Sequence, residues 1–137
     1  MTCNVIARIA MPIVLTREMT PNGRYQDFNA QKAVTRRLRE DARRATVSHT
    51  NDPACRAAIA ALKAHREPLV MDIEIAWPPR RKRLDDDNAK ASLKPILDGM
   101  ADELWGGSDA HVRVGTVSQI RGDGGLAFTF RADEGQP

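Results

Sequence analysis

Asp85-Asp86-Asp87-Asn88 concentrates three carboxylates at the point where a basic stretch gives way to an apolar-periodic one. If the backbone is extended there, Asp85 and Asp87 point to the same side, because strand side chains repeat every second residue. Two carboxylates so placed attract a hard cation such as Mg²⁺, which takes oxygen ligands and keeps waters for substrate phosphates. Asp109, in Gly106-Gly107-Ser108-Asp109, is the third candidate; its loop is expected to return towards the sheet edge where Asp85 begins. Lys90, Lys94 and Asp98 share one flank of the intervening helix by its 3.6-residue period. A lysine beside a metal-bound phosphodiester stabilises developing charge or polarises the attacking water. Simpler roles compete. One Asp can cap a helix, worth roughly 0.5–2 kcal/mol, and Lys94 and Asp98 have the spacing of a helical ion pair. A cap needs only one Asp, and three adjacent ones repel, so the excess calls for a counter-ion.

The charge distribution points the same way. Residues 31–83 hold 13 Lys/Arg against 6 Asp/Glu, a net of +7, whereas residues 85–110 hold 7 Asp/Glu against 2 Lys, a net of −5. The blocks meet at Arg80-Arg81-Lys82-Arg83-Leu84-Asp85. A positive field beside a carboxylate cluster suits a protein that holds a polyanion and gathers a divalent metal next to it, although mixed surface charge is the plainer reading. Other chemistries find no support. A calcium loop starting at Asp85 lacks the Gly at its sixth position and the Glu at its twelfth. Neither a GxxxxGK[ST] nor a GxGxxG run is present, which leaves nucleotide hydrolysis and dinucleotide binding without a motif. His49, His65 and His111 share no ligand spacing, and His65 reads as a surface residue near a helix end. Cys3 and Cys55 form neither a disulfide framework nor a zinc motif. The N-terminal residues lack a signal-peptide pattern and no apolar run approaches roughly 18 residues, so a reducing cytoplasmic compartment, without a membrane, is the expectation.

The elements that must position these residues follow from periodicity. Residues 5–11 alternate as a strand with Val5, Ala7, Ile9 and Met11 on one face. Pro12 and Thr20-Pro21-Asn22-Gly23 mark a loop. From about Asp27 to Val47 the pattern is helical, with Val34, Leu38, Ala42 and Ala45 as the apolar stripe and arginines around it. Asp52-Pro53 opens a short helix ending near Lys63. Residues 69–77 form a strand with Leu69, Met71, Ile73, Ile75 and Trp77 on its buried face. A third helix lies within residues 86–104 along Leu93, Leu97, Met100 and Leu104; its start stays open between Asp86 and Ser92, since Pro95 must sit in a first turn or mark a kink. Residues 112–120 and 126–131, joined by Arg121-Gly122-Asp123-Gly124-Gly125, carry a hairpin signal. Ala132 to Pro137 is expected to fray. With aromatics at 4%, the core is expected to be mainly aliphatic. The sum is one α+β domain over residues 1–137, in the order β-α-α-β-α-β-β, with one mixed sheet and helices packed against it.

Residues 80–112 resemble the RusA-type endodeoxyribonucleases, small Holliday junction resolvases common in phages and prophages. The resemblance rests on Arg80-Arg81-Lys82-Arg83, on Asp85-Asp86-Asp87-Asn88, on Lys94-Pro95-Ile96-Leu97-Asp98-Gly99-Met100 and on Asp109-Ala110-His111-Val112. It implies that Asp85, Asp87 and Asp109 are catalytic and bind Mg²⁺, with Mn²⁺ as a substitute, and that Lys94 is the functional lysine. Lys90, nearer Asn88, is the competing assignment. The implied activity is symmetric, metal-dependent cleavage of four-way DNA junctions by a homodimer, in recombination and repair within a bacterial cell. No nucleotide cofactor is implied. Arg80, Arg81, Lys82, Arg83 and Lys90, with some of Arg36 to Arg44, would contact DNA phosphates. Ser108 stands where the family usually has a second Asp, so the alternative is a catalytically impaired protein that binds junction or duplex DNA.

Overall fold

In the computed structural model, residues 5–13, 28–79, 86–122 and 124–133 are described, the backbone alone for 28–31 and 86–88. The elements are β1 (Val5–Met11), α1 (Phe28–Ser48), a 3₁₀ turn (His49–Asn51), α2 (Pro53–Ala64), β2 (Leu69–Trp77), α3 (Asp86–Ser92), α4 (Lys94–Trp105), β3 (Val112–Arg121) and β4 (Gly125–Ala132). They form a single α+β domain around one mixed four-stranded sheet in the order β1-β4-β2-β3. No helix among the described residues is long and apolar enough to cross a membrane. The Thr20–Gly23 loop, the Arg80–Arg83 tetrad and Asp85 lie outside the described residues.

Strand burial explains the order. β4 buries Leu126, Ala127, Phe128 and Phe130, side chains from both of its faces, as a central strand does. β3 has no buried residue and takes an edge. The expected β3–β4 hairpin is therefore not formed. β2 lies between the two, antiparallel to β4 and parallel to β3. The connection passes over the end of β2, where the Gly122 amide donates to the Trp77 carbonyl at 2.9 Å. Crossing two strand spacings takes about 9–10 Å, within reach of three extended residues at roughly 3.3 Å each. The tail also departs from expectation. Ala132 closes β4, the Asp133 amide donates to the Pro68 carbonyl at 2.9 Å, and Arg113 donates to its carboxylate at 2.8 Å. Residues 134–137 lie outside the described residues.

The helices cover one sheet face. Leu38 and Ala42 of α1, Ile59 and Leu62 of α2, and Ile96, Met100 and Leu104 of α4 meet Ile9, Met71, Ile75, Trp77, Phe128 and Phe130 in one core. Trp77, Trp105, Phe128 and Phe130 all lie in it, and each buries more area than an aliphatic side chain. α2 starts as its sequence requires, with the Asp52 carboxylate accepting from the Ala54 amide at 3.0 Å and Pro53 in the first turn. The expected single helix over residues 86–104 is two helices. Pro95 has no N–H for the carbonyl four residues back, so α3 closes with the Leu93 amide on Lys90 (3.2 Å) and α4 begins with the Leu97 amide on Leu93 (2.9 Å). α4 crosses α1 at Gly99, where a Cβ would collide with the Arg39 carbonyl.

One irregularity ties β2, β3 and β4 together. Met71 faces Val114 but Ile73 faces Val117, so Gly115 and Thr116 together oppose Asp72. Such a bulge leaves a backbone N–H without its ladder partner. The Asp72 carboxylate takes it, accepting from the Thr116 amide (2.9 Å) and hydroxyl (3.1 Å), while its other oxygen accepts from Arg131 Nε at 2.8 Å. Gly115 is small because a Cβ there would strike Asp72 and Val70. Partial burial works to raise the Asp72 pKa, but the hydrogen bonds from Arg131 and Thr116 outweigh it and hold the carboxyl below its ordinary value.

Two outcomes follow. Gly99→Ala gains about 1 kcal/mol of helix propensity but should lose more, roughly 1–3 kcal/mol from forced separation of α1 and α4, a net fall in stability readable by urea denaturation. Asp72→Asn should cost about 1–2 kcal/mol at pH 7, from weakened bonds to the Thr116 amide and Arg131. Because the folded pKa of Asp72 lies below the unfolded value of about 3.9, its contribution is present above that value and is lost as pH falls through the folded pKa. Denaturation series from pH 7 to below pH 3 should therefore show a shallower acid decline in the variant.

Candidate functional site

β2 delivers the chain to Pro78-Pro79 at one end of the sheet. Arg121 donates to the Pro78 carbonyl at 3.1 Å and Trp77 Nε1 donates to Gln119 at 2.8 Å, so the end of β3 holds the point of departure. The chain is helical from Asp86, which makes Asp87 the second residue of α3. The extended backbone that would align Asp85 with Asp87 does not extend to Asp87. Acidic residues in a first turn are favourable with the helix dipole, and the run does open a helix. The Asp87 side chain and all of Asp85 lie outside the description.

Asp109 sits in the loop between α4 and β3. Its carbonyl accepts from the Val112 amide at 2.9 Å, while its exposed carboxylate has no hydrogen-bond or ion-pair partner among the described residues. It borders a cavity of about 60 Å³ with Leu97, Met100, Ala101, Val112 and Val114. Leu97 and Ala101 lie beside Lys94 and Asp98 on α4 by helical spacing, so Asp109 adjoins the flank that carries the candidate lysine. Asp109 lies at the other end of β2 from Pro78-Pro79, and Asp85 is outside the described residues. β3 runs parallel to β2 with Val112 opposite Leu69, which places Asp109 by the start of β2. The 78–85 connection leaves from the end of β2, about 26 Å away along the strand at ~3.3 Å per residue.

Lys94 is 78% exposed and 3.5 Å from the Asp98 carboxylate, the helical pair that the spacing allowed. Lys90 is also exposed. The residues that sequence reasoning missed are the structural arginines. Arg39 of α1 grips Asp102 of α4 with two hydrogen bonds, 2.6 and 2.8 Å. Arg43 binds Glu40 at 2.7 Å and approaches Glu103 at 3.7 Å, and Lys63 reaches Glu103 from α2 at 3.7 Å. The Arg39 hydrogen bond, against the opposing effect of burial, holds the Asp102 carboxyl below its usual range. The partners Asp102 and Glu103 are adjacent on α4 while Arg39 and Arg43 are four apart on α1, so no matched spacing in the sequence announces the pairing.

The histidines are occupied otherwise. His49 Nε2 accepts from the Ala10 amide at 3.2 Å and Nδ1 lies 2.9 Å from the Ala45 carbonyl, tying α1 to β1. His65 is not the surface residue expected. It caps α2, and its Nε2 is buried without a hydrogen-bond partner among the described residues, as is that of His111. His111 packs edge-on against Trp105 at 4.8 Å, and Trp105 Nε1 donates to the Leu62 carbonyl at 2.9 Å.

No protein-family model matches the chain, and no curated protein matches it. Asp109, a hard oxygen donor without a partner among the described residues, is of the kind Mg²⁺ takes. Among the described residues, no three His, Cys, Asp or Glu side chains converge to hold a metal. A lysine role can be separated from the ion pair. Asp98→Asn removes the partner of Lys94 and should leave the thermal midpoint nearly unchanged, since exposed helical pairs contribute only about 0.3–0.5 kcal/mol. Lys94→Ala should be equally mild in thermal denaturation.

Proposed function

We propose that this chain is a metal-dependent endodeoxyribonuclease acting on four-way DNA junctions as a homodimer. The observation that carries this reading is Asp109, whose carboxylate is exposed, unpaired among the described residues and at the rim of a cavity shared with Leu97 and Ala101 of α4, three residues on from Lys94 and Asp98 respectively. The Asp85-Asp86-Asp87-Asn88 run at the start of α3 and the basic tetrad before it supply the remaining parts. Asp85, Asp87 and Asp109 would hold Mg²⁺ or Mn²⁺, which supplies a bound water of lowered pKa and neutralises the scissile phosphate. Lys94, or Lys90 in its place, would stabilise charge on the phosphoryl oxygens. Arg80, Arg81, Lys82 and Arg83 would contact backbone phosphates and set the register of the DNA arms.

The sheet topology gives the homodimer a physical role. Asp109 and the 78–85 connection belong to opposite ends of β2. Residues 114–120 of β3 have no charge and no proline, and Val114 and Ile120 are both 41% exposed. Such an edge is open to pairing, whereas the other edge strand, β1, is shorter and followed by Pro12. A two-fold axis running β3 antiparallel to its copy would set Asp109 of one protomer beside the β2 exit of the other. Opposite placement within one chain also favours the alternative, a DNA-binding protein impaired in cleavage, if no such pairing occurs.

Purified protein incubated with a labelled four-way junction and a matched linear duplex should give paired symmetric nicks on the junction with Mg²⁺ or Mn²⁺ and none in EDTA. Asp87→Asn and Asp109→Asn should each fold and bind the junction but lower cleavage by at least ~10²-fold, the scale of lost charge stabilisation. Mixing the two variants should restore nicking of a single strand if the site is shared between copies. No restoration would place each site within one chain. Val114→Lys/Ile120→Lys should remain folded, sediment as a monomer and lose cleavage. An unchanged dimer would rule out the β3 edge.

A further inference from the structure

The arginines of α1 divide into two sets. Arg39 and Arg43 are bound to Asp102, Glu40 and Glu103 at the α1–α4 seam, and Arg44 is paired with Glu40 at 3.3 Å, so the charge of these three is balanced. Arg36 and Arg37 are exposed and have no hydrogen-bond or ion-pair partner among the described residues. They precede Arg39 and Glu40 by three residues, about 4.5 Å along the axis and just under one helical turn. Their direction from the seam is set by its pairing. Arg39 meets Asp102 and lies within electrostatic reach of Asp98, while Arg43 lies further along α1 and meets Glu103. Four residues of α1 thus span one residue of α4, so the helices cross, and moving back from Arg39 leads towards the α4 flank of Asp98 and Asp102, which by its four-residue spacing also carries Lys94, 78% exposed. Asp98, Asp102 and Glu103 are all engaged in ion pairs. Excess positive charge is left where α1 approaches the candidate site.

We propose that Arg36 and Arg37 form a phosphate-contacting ridge that seats a DNA arm beside the site, and that Arg39 and Arg43 act only in holding α4 to α1. This rests on the nuclease reading and adds a second contact surface to it, on a different element from the Arg80–Arg83 tetrad. The recognised chemistry is a row of backbone phosphates, which arginine guanidinium groups meet with paired hydrogen bonds. Such contacts release counter-ions, so each phosphate adds about 0.9 to the slope of log affinity against log salt.

The test uses the full chain in EDTA, which prevents cleavage, and measures junction affinity across a salt series. Arg36→Glu/Arg37→Glu is compared with Arg8→Glu/Arg66→Glu, which changes net charge equally at exposed positions on the other sheet face and before β2. The ridge variant should keep the parent melting temperature, bind ~10–100-fold more weakly at 0.1 M salt, and lose about 2 from the salt slope, one contact per arginine. The control should retain the parent slope. Equal losses in both variants would mean that net charge alone matters and would overturn the ridge. A steep parent slope left unchanged by the ridge variant would overturn the ridge while leaving the nuclease reading intact. A parent that binds no DNA overturns both. Binding of anionic phospholipid vesicles that needs Arg36 and Arg37, with junction affinity unaltered, would reassign the surface and overturn the proposal.

Discussion

The parallel pairing of β3 with β2 is the constraint from which most of the architecture follows. A parallel neighbour cannot be reached by a tight turn, so the chain must travel back the length of β2 before β3 can begin. α3 and α4 make that journey: residues 86–105 rise about 30 Å at ~1.5 Å per residue, close to the span of a nine-residue strand. The return path explains why the Asp-rich start of α3 and the Asp109 loop belong to opposite ends of the crossover. It also explains why the β3–β4 connection must cross the end of β2, anchored by Gly122 on Trp77. The long uncharged edge of β3 is a further consequence, since β2 takes one side of that strand and nothing described takes the other.

The crossover helices are held to the sheet by apolar contact and aligned on α1 by charge. Met100, Ile96 and Leu104 bury against the sheet, and Gly99 lets α1 and α4 approach until backbone meets side chain. Asp102 and Glu103 then select Arg39 and Arg43 from a helix rich in arginine. These exposed ion pairs add little stability, but like charges in the wrong register would repel, which fixes how the helices slide past each other. The charge asymmetry along the chain thus has a use within the fold besides any use towards DNA. The residual charge on Arg36 and Arg37 stands out only after that internal pairing is subtracted.

Local chemistry made much of this legible. The alternation of β1 and β2, the Asp52-Pro53 start of α2 and the stripe of α1 were all readable because one face of each element is buried and the other is wet. The position of Pro95 limited the third helical region to a first turn or a kink, and the break at Leu93 is the first of these. The hairpin between β3 and β4 was misread because glycine-rich turns signal a reversal without naming which strand lies alongside. A clue was present in the near-continuous apolar run of β4, which marks a central strand, beside the alternating β3. The bulge at Asp72 left no such trace, since Gly115 and Thr116 look ordinary in a strand until their partners are known.

By itself the sequence determined most of the secondary structure, the α+β class and the set of side chains capable of metal and phosphate chemistry, because periodicity, capping and charge are properties of neighbouring residues. Only the tertiary structure decided strand order, the division of α1's arginines between seam and surface, and the placement of Asp109 against α4 away from the exit of β2. Those features depend on which elements pack together, and that is settled by burial of β4 and β2 from both faces and by the helical return that parallel pairing demands.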